Sequence, residues 1–182
     1  MRSRLFALLL CPMAAALGQS ANDLEAVVTT GLGTFRFAFA PDKAPKHVEH
    51  FITFARQGFY DGSAFHRVVS YGIIQGGDPL LKDAKTPRKL WGSGGLNQLA
   101  GEFSELKHER GVVSMARADD PDSASTSFFL MLGPAPHLDG KYSALGRIVQ
   151  GMEVLDAFEK EEVDGESPRR RLEIIEAVID PQ

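Results

Sequence analysis

Hydrophobic and polar residues alternate in short runs along most of this chain and follow a helical period in only two places. The runs Leu24 to Thr29 and Thr34 to Phe39 flank the turn Gly31-Leu32-Gly33. Alternation with a period of two places one set of side chains on each face of a strand, and a glycine-rich turn between two such runs favours a hairpin. We therefore predict a β-hairpin after the first two dozen residues.

The two helical stretches are recognised by the spacing of their apolar residues. The first begins after Pro45 and ends near Gly58, and its apolar residues are spaced i, i+3, i+4 and i+7. These are Val48, Phe51, Ile52 and Ala55. A second, shorter helix is predicted over Met152 to Phe158.

Six further runs are predicted as strands because they are apolar and are bounded by turn residues. They are Ala64 to Val69, Ile73 to Gln75, Gly111 to Met115, Ser127 to Leu132, Ser143 to Val149 and Leu172 to Ile179. The stretch from Pro79 to Glu102 is predicted to be surface loops, and the charged stretch from Glu159 to Arg171 a solvated loop. Many strands and two helices, without alternation of the two, favour an antiparallel barrel or sandwich.

Three short motifs in a fixed order carry the chemical information. They are Phe65-His66-Arg67-Val68-Val69 with Ile74-Gln75-Gly76-Gly77-Asp78-Pro79, then Ser127-Phe128-Phe129-Leu130, then His137-Leu138-Asp139-Gly140-Lys141-Tyr142. Ser114-Met115-Ala116-Arg117 lies between the first and the second. Together the motifs resemble the cyclophilin family of peptidyl-prolyl cis-trans isomerases, and the resemblance runs from about Leu24 to Ile179.

The resemblance implies a fold and an activity. The fold is mainly β, a closed eight-stranded antiparallel β-barrel capped by two α-helices, formed as one domain over residues 24–180. The activity is acceleration of rotation about X-Pro peptide bonds, which assists protein folding. It implies proline-containing polypeptides as partners and no cofactor.

Arg67 is the residue that we expect to be catalytic. Rotation about an X-Pro amide has a barrier of roughly 18–20 kcal/mol and breaks no covalent bond, so it requires neither a nucleophile nor a metal. As the amide twists, its nitrogen gains a lone pair that can accept a hydrogen bond. A charged, forked donor aimed at that nitrogen stabilises the twisted amide over the planar one.

The resemblance also implies the residues of the substrate pocket. Phe129 matches the aromatic residue on which the proline ring packs, and Gln75 matches the glutamine that orients the arginine. Ala116 and Arg117 match the strand that pairs with the peptide N-terminal to proline. The remaining substrate-binding residues expected from the alignment of motifs are Ile73, Leu138, Tyr142, His137, Tyr71, Gly72 and Phe128. Trp91 either lines a secondary subsite or anchors its own loop.

Three departures from the family pattern affect the expected efficiency. Gly72 stands where the family usually has a phenylalanine of the proline pocket, although the Tyr71 ring could fill that space. Ser127 replaces a glutamine that contacts substrate backbone, and His137 replaces a tryptophan found in members sensitive to cyclosporin. The alternative reading is therefore a cyclophilin-like module or chaperone that binds proline-containing peptides with little or no isomerase activity.

The first residues resemble an export signal. Arg2 and Arg4 precede an apolar run from Leu5 to Leu17, and Ala16-Leu17-Gly18 offers small residues for cleavage after Gly18. The run is too short for a permanent membrane helix. We expect a signal peptide over residues 1–18 and a periplasmic or secreted protein, with no stable membrane insertion after its removal. Lipoprotein anchoring through Cys11 is the less favoured alternative, because bulky Leu10 precedes the cysteine.

Composition limits the other classes of function. The 182 residues carry a formal net charge of −4, which disfavours a general nucleic-acid-binding surface. His47 and His50 are three residues apart on the first predicted helix, but without a nearby third ligand they indicate a solvated face rather than a metal site. We expect a monomer that binds no metal.

Overall fold

The computed structural model describes residues 20–96 and 99–182. The predicted signal peptide and Cys11 lie outside the described residues. Two α-helices lie within these described residues, α1 (Pro45–Arg56) and α2 (Met152–Glu159). The strands are β1 (Leu24–Thr30), β2 (Gly33–Phe39), β3 (Ala64–Phe65), β4 (Arg67–Val68), β5 (Ile73–Gly76), β6 (Val112–Met115), β7 (Phe128–Met131), β8 (Ala144–Gln150), β9 (Val163–Asp164), β10 (Ser167–Pro168) and β11 (Leu172–Pro181).

One antiparallel sheet forms most of the molecule, in the order β3-β11-β1-β2-β8-β6-β7-β5-β4. It has nine strands where eight were predicted, because the run from Ala64 to Val69 is broken at His66. The part before His66 pairs with β11, and the part after it pairs with β5. The two edge strands of the sheet are thus consecutive in the chain, and the sheet is a nearly closed barrel, as the mainly β prediction requires.

A column of aromatic rings fills the barrel and connects the two helices. Phe51 of α1 lies 5.4 Å from Phe128, Phe128 lies 5.8 Å from Phe65, and Phe65 lies 4.8 Å from Phe158 of α2, measured between ring centroids. Aromatic pairs at such distances and near-perpendicular angles stabilise a core beyond the area that they bury. The helices therefore pack on one continuous core.

Phe128 belongs to this core, and the prediction that it binds substrate is wrong. Its side chain is 1 % exposed and contacts only the barrel interior. Its neighbour Phe129 lies in a second hydrophobic cluster on the other side of the strand. The physical reason is the alternation of side chains along β7, which sends adjacent residues to opposite faces.

Helix α1 starts without a capping side chain of its own. The carboxylate of Glu102 substitutes for one, since it accepts hydrogen bonds from the backbone N–H groups of Lys46 (3.2 Å) and His47 (3.0 Å). The same carboxylate lies 2.8 Å from the His47 ring Nδ1. His47 is fully buried, so the predicted solvated face is wrong at this residue.

The charged stretch after α2 is also more ordered than predicted. Strands β9 and β10 pair Asp164 with Ser167 across a two-residue loop in which Gly165 has a φ of 64°. A glycine with positive φ at the first position of such a loop is typical of a tight hairpin. No helix of the described residues is long and apolar enough to cross a membrane.

Buried histidines make the fold sensitive to acid. Burial lowers the pKa of His66 to about 4, with Asp78 opposing the shift and Arg67 adding to it. Burial also lowers the pKa of His108 and of His50. In the unfolded chain these rings take up a proton near pH 6.5, so between that pH and about 4 the unfolded state binds more protons than the folded state.

We predict that stability is fully present above pH 6.5 and falls as the pH drops to 4. A pKa of about 4 in place of 6.5 corresponds to a loss of roughly 3 kcal/mol in the free energy of unfolding from His66. Urea unfolding at pH 7 and pH 4.5 measures it, and His66→Gln should flatten the dependence. Equal unfolding free energies of the wild-type protein at both pH values would contradict the prediction.

Candidate active site

The pairing register brings the predicted site residues into one row across four strands. Arg67 on β4 pairs with Gln75 on β5, Gln75 pairs with Phe129 on β7, and Phe129 pairs with Ser114 on β6. The neighbouring row on the same strands lies in the barrel core: Val68, Ile74, Leu130 and Val113. Because alternate residues face opposite sides of a sheet, the first row points away from the core.

A cavity of about 460 Å³ lies over this row. This volume is in the range of sites that bind small molecules or peptide side chains. Ten of the twelve residues predicted for the site line it: Arg67, Gly72, Ile73, Gln75, Ala116, Arg117, Phe129, His137, Leu138 and Tyr142. Val69 and Ala135 also line it and were not predicted. Among these described residues, none is Ser, Cys, Lys, Asp or Glu.

Tyr71 does not fill the space beside Gly72. Its side chain is 83 % exposed, and it is absent from the cavity wall. Tyr71 has a φ of 56° and its N–H donates to the Glu159 carboxylate at 2.8 Å, so the turn directs the ring outwards. The structure therefore places Tyr71 outside the pocket, contrary to the prediction that it contributes to substrate binding there.

Val69 occupies the room that a side chain at position 72 would need. A Cβ atom on Gly72 would lie 2.9 Å from Val69 Cγ1 and 3.3 Å from the Val69 carbonyl oxygen. Contacts this short force a neighbour to move. The cavity at this point is thus lined by a small aliphatic side chain. A larger residue at position 72 needs a smaller side chain at position 69 and a shift of a few tenths of an ångström in the Val69 backbone.

Arg67 is held at the rim of the cavity by two side chains. Its Nε donates to the Glu166 carboxylate at 2.6 Å, and its Nη1 lies 3.4 Å from Gln75 Oε1. The side chain remains 42 % exposed. A guanidinium has five N–H donors, so these two contacts leave donors free for a bound molecule.

Glu166 is a further partner of Arg67 that was not predicted from the sequence. The residue was assigned to a solvated charged stretch, whereas hairpin β9–β10 brings its carboxylate to the candidate catalytic residue, 99 positions earlier in the chain. The dipeptide Asp164-Gly165 is a hairpin signal and could have predicted the turn. Nothing in the local sequence indicates that the turn packs beside Arg67.

A buried chain of hydrogen bonds supports the floor of the cavity. His108 Nε2 lies 2.9 Å from Ser114 Oγ, and His108 Nδ1 lies 3.2 Å from Asp139 Oδ1. The His108 ring stacks on Phe129 with centroids 6.1 Å apart. A neutral ring with its proton on Nδ1, facing the carboxylate, accepts a hydrogen bond from the Ser114 hydroxyl at Nε2.

These three residue types also occur in hydrolases, but here they serve the structure. Ser114 is fully buried and His108 is 2 % exposed, so no bound molecule reaches the hydroxyl. A nucleophile has to reach within hydrogen-bond distance of the reacting carbonyl. These hydrogen bonds instead connect Asp139 to β6, the strand that pairs with Phe129 of β7. Asp139 directly follows Leu138 of the cavity wall.

The wall opposite Arg67 is built around Tyr142. Its ring meets Phe129 edge-on at 5.6 Å, and the Arg117 guanidinium lies over it at 4.6 Å. Arg117 also donates to the carbonyls of Ala118 (2.8 Å) and Lys141 (3.2 Å). These contacts hold the wall in place, so the aromatic floor has a defined boundary.

Trp91 is a loop anchor. Its Nε1 donates to the Thr86 carbonyl at 3.0 Å, and the Arg88 guanidinium lies 4.9 Å from its ring. It lines neither the main cavity nor the adjoining depression that includes Gly92, Ser93 and Ser127. The subsite role considered for Trp91 is not supported by this position.

Comparison with known proteins is consistent with the geometry. The model of the cyclophilin type peptidyl-prolyl cis-trans isomerase/CLD family matches residues 26–179. A probable peptidyl-prolyl cis-trans isomerase of Brucella abortus is 37 % identical over 168 residues, which cover 88 % of this chain and 86 % of that protein.

Solved structures agree with the family model. A Cryptosporidium parvum cyclophilin type peptidyl-prolyl cis-trans isomerase, solved in the presence of the dipeptide Ala-Pro, has a TM-score of 0.76 and 28 % identity, covering 87 % of this chain and 99 % of that one. A cyclophilin from Hirschia baltica has a TM-score of 0.70 and 27 % identity, covering 87 % and 74 %. From its family model, its relatives and its fold, the chain belongs to the cyclophilin-type peptidyl-prolyl cis-trans isomerases.

Proposed function

We propose that the isomerase activity of this chain resides in the cavity over Phe129, with Arg67 as the catalytic residue and proline-containing polypeptides as substrates. The observation that carries the proposal is the single row in which Arg67, Gln75 and Phe129 face the same cavity. The Cryptosporidium parvum relative solved with Ala-Pro supports an X-Pro peptide as the ligand.

The proposed mechanism uses the apolar floor to hold the proline ring. The ring packs on Phe129, between Ile73 and Leu138, while the carbonyl before it swings. A free N–H of Arg67 then donates to the prolyl nitrogen as that nitrogen loses amide resonance. Gln75 holds the guanidinium and is available to the substrate backbone, and Ala116 pairs with the peptide N-terminal to proline.

The energies explain why both parts are needed. A rate enhancement of a hundred-thousandfold corresponds to about 7 kcal/mol at about 1.4 kcal/mol for each factor of ten. One hydrogen bond from a charged donor contributes only about 1.5–3 kcal/mol. The remainder has to come from the pocket, which removes the proline and the twisting amide from water and fixes their orientation.

A second candidate function is supported by Gly72. A cavity that binds the proline ring without the usual aromatic contact suits a peptide-binding module or chaperone as well as an enzyme. The two functions differ in one measurable quantity, since only the enzyme shortens the relaxation time of an X-Pro peptide at substoichiometric concentration.

We also propose that the chain is exported as a monomer and acts on polypeptides in the periplasm or outside the cell. The support is the basic and apolar sequence of residues 1–18. Folding of exported chains is limited by slow X-Pro isomerisation in the same way as folding elsewhere.

We predict that Arg67→Ala lowers kcat/KM at least tenfold and leaves the fold intact. The loss of one charged hydrogen bond of about 1.5–3 kcal/mol corresponds to about ten- to hundredfold in rate. Its exposed ion pair with Glu166 contributes at most about 1 kcal/mol to stability. A protease-coupled assay on an X-Pro peptide measures the rate, with urea unfolding as the control for stability. Wild-type turnover in the alanine variant would eliminate the mechanism.

We predict that Tyr71→Ala changes kcat/KM by less than about twofold, because exposed side chains outside a site contribute little. Gly72→Phe should give no gain, because its Cβ meets Val69. The double variant Val69→Ala/Gly72→Phe should gain about tenfold, since burying a phenyl ring against the proline is worth about 1.5–3 kcal/mol. The single Val69→Ala variant is the matched control. A large loss in Tyr71→Ala would mean that the tyrosine enters the pocket.

We predict that the mature protein begins near Gln19 and contains no thiol, since the only cysteine precedes the proposed cleavage site. N-terminal sequencing of protein from the extracytoplasmic fraction measures this. Intact Met1 on protein from the cytoplasm would refute export, and a lipid-modified Cys11 would identify a lipoprotein.

A further inference from the structure

Glu166 reaches Arg67 from a backbone that is fixed at both ends. The Glu166 carbonyl accepts a hydrogen bond at 2.8 Å from the N–H of Val68, the residue that directly follows Arg67 in the chain. At the other end of the hairpin, Arg88 Nη1 donates to the Pro168 carbonyl at 2.7 Å. The carboxylate is therefore presented by an anchored hairpin, unlike most exposed ion pairs.

The two partners of Arg67 divide its donors. Glu166 takes the Nε–H at 2.6 Å, and Gln75 lies beside Nη1 at 3.4 Å. A planar guanidinium bound at two of its nitrogens has a restricted rotation about its stem, while its other N–H groups still face solvent or ligand. The shorter of the two contacts is to Glu166, so the orientation of the guanidinium depends mainly on that carboxylate.

The same carboxylate changes the charge at this end of the cavity. Glu159 lies nearby, where it accepts from the Tyr71 N–H next to Gly72 of the cavity wall. Glu166 is thus bound to Arg67 of the cavity wall, and Glu159 to the residue that precedes Gly72 of the same wall. At the opposite end, Arg117 is held over Tyr142 and is bonded to backbone carbonyls.

We propose that Glu166 is a positioning residue for Arg67 and that its charge makes the enzyme prefer a basic over an acidic residue after the proline. The inference rests on the proposed function, in which the peptide N-terminal to proline pairs with Ala116 on one side of the cavity, and it places the segment after proline on the other side, beside Arg67. A basic side chain there is attracted by Glu166, and an acidic one is repelled.

The experiment uses two substitutions of Glu166 that separate position from charge. Glu166→Gln keeps an oxygen that accepts from Arg67 Nε, and Glu166→Ala removes it. The control is Glu162→Gln, which removes a more exposed carboxylate (79 % against 53 % for Glu166) paired with Arg169 at the open end of the same hairpin. Each variant is assayed for kcat and KM on X-Pro peptides that carry Lys or Glu after the proline.

The expected results differ between the variants. Glu166→Ala lowers kcat, Glu166→Gln keeps it, and both reduce the Lys-over-Glu ratio of kcat/KM by about two- to fivefold, the effect of one exposed charge pair. The Arg67 Nε–H resonance in nuclear magnetic resonance shifts in Glu166→Ala. Glu162→Gln changes none of these quantities.

Wild-type kcat in Glu166→Ala, or an unchanged Lys-over-Glu ratio in both Glu166 variants, overturns the inference. Arg67→Ala, measured alongside, separates this failure from failure of the proposed function. If Arg67→Ala lowers kcat/KM at least tenfold while the Glu166 variants behave as wild type, the proposed mechanism stands and only the role of Glu166 is refuted.

Discussion

The site depends on the register with which β4, β5, β7 and β6 pair. That register aligns Arg67, Gln75, Phe129 and Ser114 on the outer face of the sheet and sends the next residue of each strand into the core. A slip of one residue on any of these strands would turn its residue of this row towards the core, and on β4 that residue is Arg67. The aromatic column through Phe128 opposes such a slip, because it requires that face of β7 to be inside. Stability of the core and geometry of the site are thus consequences of the same pairing.

The N–H donors of Arg67 are divided between contacts within the protein and donors left free for a bound molecule. An unpaired guanidinium on an exposed rim would be mobile, and a fully paired one would have no donor left for substrate. The observed arrangement lies between these cases, with the Nε of Arg67 bound to Glu166, Gln75 beside Nη1, and the side chain still 42 % exposed. Behind the pocket, the buried hydrogen bonds from Ser114 through His108 to Asp139 hold the aromatic floor in position. The Arg67 guanidinium and the apolar floor therefore each have partners outside the cavity.

The sequence was sufficient for those parts of the structure that depend on local pattern. Alternation and helical spacing predicted both helices and most strands, and the three motifs predicted Arg67, Gln75 and Phe129 on one cavity. Phe128 was misplaced because the motif was read as a unit, although alternation alone sends it to the opposite face from Phe129. The pairing of Glu166 with Arg67 and that of Asp139 with His108 could not be predicted, because these contacts join residues 99 and 31 positions apart and depend on how loops pack on the barrel.

The central claim is that the proline ring lies on Phe129 with the Arg67 guanidinium at the twisting amide. It is tested most directly by a crystal structure of this protein with a bound Ala-Pro peptide. The account predicts the ring on Phe129 between Ile73 and Leu138, and a nitrogen of Arg67 within hydrogen-bond distance of the prolyl amide. A peptide bound in the depression beside Gly92 and Ser93, with the Phe129 cavity empty, would contradict it.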